Sequence, residues 1–265
     1  MGGVALVLFF LIRGFPYDSL VNRITSTLEP VLGVEFIITE VGPTFGWAGP
    51  GLEALGVHVR FPDANSVRVD RILVRPAWTT AWFRGAAAVY LELDSPSGSA
   101  MGSLEFGESP VFEGSVQNLD LEELALLDML PSGGVEGRMD ATFSLVIGEA
   151  GPEGSVTFEM RDGSLSIPNM PIALPFQKIL GELQLGGDAY LTIESLTLEG
   201  PIVSGSGGGT IAKAPSFERA PLRMEFDLNV KPALAGGARA AGLRVDSKGD
   251  TKVRISGTVS NPRIR

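Results

Sequence analysis

An alternation of apolar and polar residues with a period of two constrains this chain most, because it recurs from residue 34 almost to the C-terminus. The clearest stretches are 135–147, 222–230 and 251–259. In each, apolar residues occupy one phase and polar residues the other, as in a strand with one buried and one solvated face. Few helical crossovers separate these stretches, which favours an antiparallel meander. The sequence predicts a mainly β protein whose antiparallel sheet is curved or coiled into a groove.

The apolar phase of the longest strands is the predicted working surface. An amphipathic sheet must cover its apolar face, and few helices are available to cover roughly ten strands. The sheet therefore either curls on itself or holds something apolar. We expect charged substitutions at Phe143 or Phe226 to destabilise the fold or expel a ligand, and substitutions at Asp140 or Asp227 to do little. The residues predicted to line the groove are Phe143, Leu145, Phe158, Leu191, Ile193, Met224, Phe226, Leu228, Val253 and Ile255.

Helices are expected in a few places only. The apolar spacing of Leu20, Ile24 and Leu28 predicts an N-terminal amphipathic helix over 15–33. Asp120, followed by Glu123 three residues later, has the form of a capping box. Two short capping helices are predicted, over 120–130 and 174–180, and 233–244 is open between helix and loop. Hairpin turns are predicted at 161–163 and at 186–188.

The first residues indicate a membrane anchor. Residues 4–12 are all apolar and are followed by Arg13, but a spanning helix needs about 20 apolar residues. We interpret 1–14 as an anchor whose start is truncated. The alternatives are an apolar end packed on the domain and a poorly formed export signal. Residues 15–265 are then one domain, with a weak subdivision near 131–134.

Composition removes several classes of chemistry. The chain has no cysteine and one histidine, which excludes thiolate sites and metal motifs that need two imidazoles. A net charge of −10 argues against a nucleic-acid partner. His58 fits the polar face of a strand better than a catalytic base. The run Gly207–Ala212 matches a dinucleotide-binding pattern in form, but no helix is predicted after it, so a glycine-rich strand is favoured. We predict no enzyme activity, metal or cofactor.

Several segments together resemble a known family. The segments are 15–18 (FPYD), a helix closing at 32–34, the stretch 51–59, the strands over 183–211 and the close at 255–264. This arrangement is similar to AsmA-like envelope proteins. Within them, the compact length and the FPYD start most resemble the type II secretion system protein N of deltaproteobacterial type.

The resemblance implies a single-pass protein of the bacterial inner membrane with its bulk in the periplasm. It implies a taco-like sheet with an apolar inner face, which in long relatives is thought to carry phospholipid, and it supplies no catalytic residues. We expect a non-enzymatic accessory component of a type II secretion system, with the membrane and other envelope or secretion proteins as partners. The alternatives are a lipid-binding or lipid-transfer module and an envelope carbohydrate-active enzyme on a β scaffold.

Overall fold

The alternating stretches form β-strands in a computed structural model of the chain. The structure describes residues 35–46, 49–60, 66–77, 86–123, 134–148, 151–166, 173–231, 236 and 245–264. The chain divides into two compact units, Met1–Gly107 and Glu108–Arg265. The predicted subdivision near 131–134 falls mostly outside the described residues and stays a prediction.

The described part of the first unit is an antiparallel meander in which each strand pairs with the next. Gly56 has φ +59°, a conformation that glycine adopts most readily, and the pairing register is the same on both sides of it. Beyond this point Val57 and Val69 are buried. The strands are β1 (Glu35–Gly46), β2 (Gly49–Arg60), β3 (Ser66–Pro76), β4 (Ala88–Ser95) and β5 (Gly98–Glu105).

The second unit contains a larger antiparallel meander. Each of its strands again pairs with the next in the chain, and the first and last do not pair with each other, so this sheet does not close. The strands are β6 (Val111–Asp120), β7 (Val135–Gly148), β8 (Gly151–Leu165), β9 (Leu174–Leu185), β10 (Ala189–Glu199), β11 (Val203–Ala212), β12 (Pro221–Val230), β13 (Asp250–Thr258) and β14 (Asn261–Ile264). The mainly β, antiparallel prediction is confirmed.

Of the predicted helices, one is wrong and the others lie mostly outside the described residues. Residues 174–180 form the first half of β9, not a helix, because this stretch pairs with β8 on one side and β10 on the other and buries Phe176 and Ile179. Asp120 ends β6, and its Oδ1 accepts the Glu122 N–H at 3.1 Å, as an N-cap would. The remainder of that predicted helix, at 124–130, lies outside the described residues. So do the N-terminal helix and nearly all of 233–244. A 3₁₀ turn occupies Phe217–Arg219.

One of the two predicted hairpin turns is confirmed and the other is wrong. The turn at 186–188 is confirmed between β9 and β10, with Gly186 and Gly187 at positive φ. The turn at 161–163 is wrong, because these residues lie inside β8. There Gly137 of β7 faces both Asp162 and Gly163, which makes a β-bulge. Asp162 adopts φ +49°, so a bulge has the local sequence of a turn here.

Candidate functional site

Eight strands of the second unit, β6 to β13, place apolar side chains in four rows that cross the sheet. Residues directly opposite in register share a face, so the pairings define one continuous surface, which we call the apolar face. From one strand end to the other, the rows contain Phe112, Leu145, Leu185, Leu191, Ile211 and Leu222; then Phe143, Val156, Leu183, Ile193, Met224 and Ile255; then Val116, Ala141, Phe158, Leu196, Phe226 and Val253; then Leu119, Met139, Met160, Ile179, Leu198 and Leu228.

Every residue predicted to line a groove lies in these rows. Val253 is buried and the other nine are partly exposed. The remaining positions in the rows from β6 to β13 are glycines, with one exception, the buried Thr251 beside Leu228. The face therefore offers almost no side-chain hydrogen-bonding group. The structure brings the ten residues together, and their role in holding a ligand stays a prediction.

Large side chains on the apolar face lie over glycines of the neighbouring strand. The Phe158 ring covers Gly181, and a Cβ at that glycine would overlap the ring. Phe226 covers Gly207 in the same way. The rings of Phe112 and Phe143 pack at 4.8 Å between centroids, tilted by 52°. The prediction of a glycine-rich strand at 207–212 is confirmed by β11, and its glycines make room for side chains of β12.

Both strand ends of the apolar face finish in packed clusters. At the Tyr190 end, where β9 and β11 finish, Ile211, Ala220 and Leu222 are buried together. At the Val245 end, where β10 and β12 finish, Val245 packs with Val203 and Val230. Between these clusters, buried and partly exposed side chains alternate: Ala141 and Val253 are buried, whereas Phe143, Phe158 and Phe226 are partly exposed.

The opposite face of the same strands carries ion pairs, and we call it the polar face. Lys252 contacts Glu225 at 2.6 Å and Asp227 at 3.3 Å, and Arg254 contacts Glu225 at 3.0 Å. Hydrogen bonds from Lys252 and Arg254 lower the pKa of Glu225, and Glu225 and Asp227 raise the pKa of Lys252. Each cation thus holds carboxylates of the adjacent strand, which stabilises the register.

Asp140 joins three strands on the polar face. Its Oδ1 accepts the backbone N–H of Asn118 in β6 at 2.7 Å, and its Oδ2 accepts a bond from Arg161 in β8. Asn118 has φ +51° in a bulge of β6. The sequence shows Asp140 only as an outward residue of an alternating strand. Its contacts depend on a bulge in the neighbouring strand, which no local pattern reveals.

A shallow cleft of about 590 Å³ on the polar face contains the cross-strand neighbours Asp140 and Glu159. A glycosidase pair is the chemistry to test here, and its general acid must donate a proton to the leaving oxygen. Both carboxylates instead accept contacts: Asp140 from Asn118 and Arg161, and Glu159 from Lys178 at 3.2 Å. The pair belongs to the ion-pair network of the polar face.

The first unit has its own charge cluster, which sequence reasoning missed. Arg71 of β3 contacts Glu53 at 2.5 Å, Glu92 at 3.0 Å and Asp94 at 3.2 Å. The hydrogen bond with Glu53 is the main cause that raises the pKa of Arg71. In the sequence, the sign of this cluster is a cation that faces acidic residues on both neighbouring strands, all of them with outward-pointing side chains. This arrangement is visible only once the register of the strands is known.

The remaining candidate features of the sequence are a single histidine, possible metal ligands and possible membrane-spanning helices. His58 is exposed in β2, opposite Ile37 and Arg68, which confirms a strand histidine on a polar face. Among the described residues, no cluster of His, Asp and Glu side chains is arranged to hold a metal ion. Within the same part of the chain, no helix has the length and apolar character needed to cross a membrane.

Comparison with known proteins adds no relative. No known protein family, no curated protein sequence and no solved structure matches this chain.

Proposed function

We propose that the protein is a non-enzymatic lipid-binding protein whose apolar face holds acyl chains. The observation that carries the proposal is the composition of the four rows, in which apolar side chains and glycines continue across the sheet with Thr251 as the one polar side chain from β6 to β13. Acyl chains need apolar contact and no hydrogen bonds. A protein partner would ordinarily find hydrogen-bonding groups on such a surface.

The dimensions of the face fit this ligand. Eight strands about 4.8 Å apart span about 34 Å, and four rows along the strands span about 20 Å. One leaflet of a bilayer is about 15 Å of hydrocarbon, so an acyl chain fits along either direction. We further propose that the sheet is coiled into a taco-like groove with this face inside. The bulge at Gly137 supports this coiling because bulges bend strands and increase their twist.

A matched pair of variants tests the ligand. Leu196 lies in the third row of the apolar face and Thr197 lies next to it on the polar face. Native mass spectrometry of the full chain extracted from membranes should find near-stoichiometric phospholipid, retained in Thr197→Glu and lost in Leu196→Glu. Thermal unfolding of both variants separates loss of ligand from loss of fold. Absence of lipid from the unsubstituted chain, or equal retention in the two folded variants, would sink the proposal.

The cellular setting is a second proposal, and it rests on the sequence. The N-terminal apolar residues and the FPYD start support a bacterial inner-membrane protein with its bulk in the periplasm. The compact length and the FPYD start, which resemble the type II secretion system protein N, favour an accessory role in a type II secretion system, with other envelope proteins as partners. Deleting the gene should then reduce secretion of the system's substrates, and the full chain should restore it. Unchanged secretion would remove this role and leave lipid binding untouched.

A further inference from the structure

We propose that one corner of the second unit docks on an anionic phospholipid surface. This corner, the basic corner, comprises Lys213, Phe217, Arg219, Arg223 and Arg263. These residues lie at the Tyr190 end of the sheet, after β11, in the 3₁₀ turn, at the start of β12 and in β14. The inference rests on the proposed function, because it names the surface from which lipid would reach the apolar face.

The exposure of Phe217 is built into the fold. Its side chain is 55% exposed, yet the loop that carries it is fixed on both sides. Upstream, the Tyr190 hydroxyl donates to the Ala214 carbonyl at 2.6 Å, and downstream Ala220 is fully buried. The rings of Tyr190 and Phe217 also pack edge to face, with 5.8 Å between centroids and an interplanar angle of 68°. The fold therefore holds a large aromatic ring in solvent.

The cations of the basic corner differ from those at the centre of the polar face. Lys213, Arg219, Arg223 and Arg263 are exposed, and no ion pair joins any of them to a described carboxylate. In contrast, Lys252 and Arg254 are held by carboxylates of β12. Arg223 and Arg263 flank Ser256 in one cross-strand row. Among the described side chains, the basic corner thus presents charge without an ion-pair partner.

The local charge opposes the charge of the whole chain. Residues 213–223 contain three cations and one acidic residue, Glu218, which leaves +2, whereas the chain carries −10. An anionic surface attracts this corner and repels the acidic remainder, so the molecule approaches in one orientation.

Membrane interfaces combine the two chemistries found here. Phe is among the residues that interfacial segments bury at the acyl boundary, and Lys and Arg are attracted by anionic lipids. The corner is also continuous with the apolar face, because Tyr190, which touches Phe217, packs in the same cluster as Leu191 of the first row. An acidic protein would neutralise the cations but would have no need of that continuity. The geometry therefore favours a lipid surface.

A single fluorophore near Phe217 tests the docking. The chain has no cysteine, so Ser216→Cys labels one position beside the ring. Ser247→Cys, in the turn before β13 at the Val245 end, is the matched control on the same unit. The full chain is mixed with vesicles of phosphatidylcholine, with or without phosphatidylglycerol. The emission of an environment-sensitive dye at position 216 should shift to the blue only with phosphatidylglycerol, and the shift should be smaller at high salt. The emission of the same dye at position 247 should not shift. The readout is local, so membrane binding by another segment does not produce it.

Two double variants in the Ser216→Cys background separate free from paired cations. Lys213→Ala with Arg219→Ala should raise the vesicle concentration needed for half the shift by about fivefold per charge removed. Lys252→Ala with Arg254→Ala removes the same charge and should leave it unchanged. Equal shifts at positions 216 and 247, a shift indifferent to phosphatidylglycerol, or no shift at 216 would each overturn the docking. If lipid still co-purifies in those cases, the proposed function stands; a shift at 216 on a chain that carries no lipid would overturn the proposed function alone.

Discussion

The two faces of the second unit are built by the same strands, yet their side chains are satisfied in opposite ways. Phe226 and Asp227 are neighbours in β12, one in the third row of the apolar face and the other in contact with Lys252 at 3.3 Å. On the polar face, partners come from within the sheet. On the apolar face, the side chains need only contact, and most stay partly exposed. The face with the fewest internal partners is therefore the one that we propose for the ligand.

The largest loss of stability is expected where large side chains of the apolar face pack on glycine. Alanine at Gly207 would place a Cβ against the Phe226 ring and the Glu225 carbonyl. We expect Gly207→Ala to lower the free energy of unfolding by about 3 kcal/mol, because overpacking displaces backbone as well as side chain. Gly148→Ala is the control, since its Cβ would meet its nearest atom at an ordinary 3.7 Å. Urea denaturation followed by circular dichroism measures both, and equal losses would show that glycine does not shape this face.

A charge on either face should separate the two faces next. Phe226→Asp removes a partly exposed ring and brings a carboxylate among apolar neighbours, so we expect a loss of about 2 kcal/mol in the free energy of unfolding. Asp227→Asn changes a side chain that is 70% exposed and should cost less than about 0.5 kcal/mol. Similar losses at these adjacent positions would contradict the assignment of faces.

Asp140 is expected to break the simple contrast between the faces. Its sequence pattern predicts that substitution does little, but its carboxylate accepts the Asn118 N–H and a bond from Arg161, and its side chain is only 35% exposed. Asp140→Ala leaves a backbone donor without its partner and should cost about 1–2 kcal/mol. Asp227→Ala, by denaturation under the same conditions, should cost clearly less. No difference between these two variants would return Asp140 to the class of solvated residues.

The smallest expected effect is the pH response of the ion pairs. The folded pKa of Glu225 lies below 4.5, so its contribution to stability is complete above 4.5 and is lost as pH falls through the folded value. Lys252 has a pKa raised above 10.5, so its contribution is complete below 10.5 and is lost as pH rises through the folded value.

Comparing Glu225→Gln with the unsubstituted chain by thermal unfolding measures this response. The difference in melting temperature should be constant near neutral pH and should vanish in acid. A melting-temperature difference that grows as the pH falls would show that folding does not lower the pKa of Glu225, which would contradict the account.

The fold could be predicted where a strand keeps one phase for its whole length. Alternation placed the strands over 135–147 and 222–230 because each side chain's face follows from its own position. The helix predicted over 174–180 is wrong, although Ile179 and Leu183 alternate with Lys178 and Glu182 in the complete β9. That rhythm becomes visible only when the segment is read beyond residue 180.

The candidate site also contains residues that periodicity predicts and residues that it does not. The ten apolar residues could be found from their phase alone. Asp140 and Phe217 could not, because the role of Asp140 depends on the bulge at Asn118 and the exposure of Phe217 depends on the loop tied by Tyr190. Both arise from contacts between segments far apart in sequence, which a periodicity does not encode.

Photo-crosslinking from adjacent residues tests most directly that the apolar face holds lipid. Benzoylphenylalanine replaces Phe226 in one full-length chain and Asp227 in another, and each is irradiated in intact membranes. Mass spectrometry of the products should find a phospholipid adduct at position 226 and none at position 227, because consecutive residues of a strand point to opposite faces. No lipid adduct at 226, or equal lipid adducts at both positions, would contradict the account.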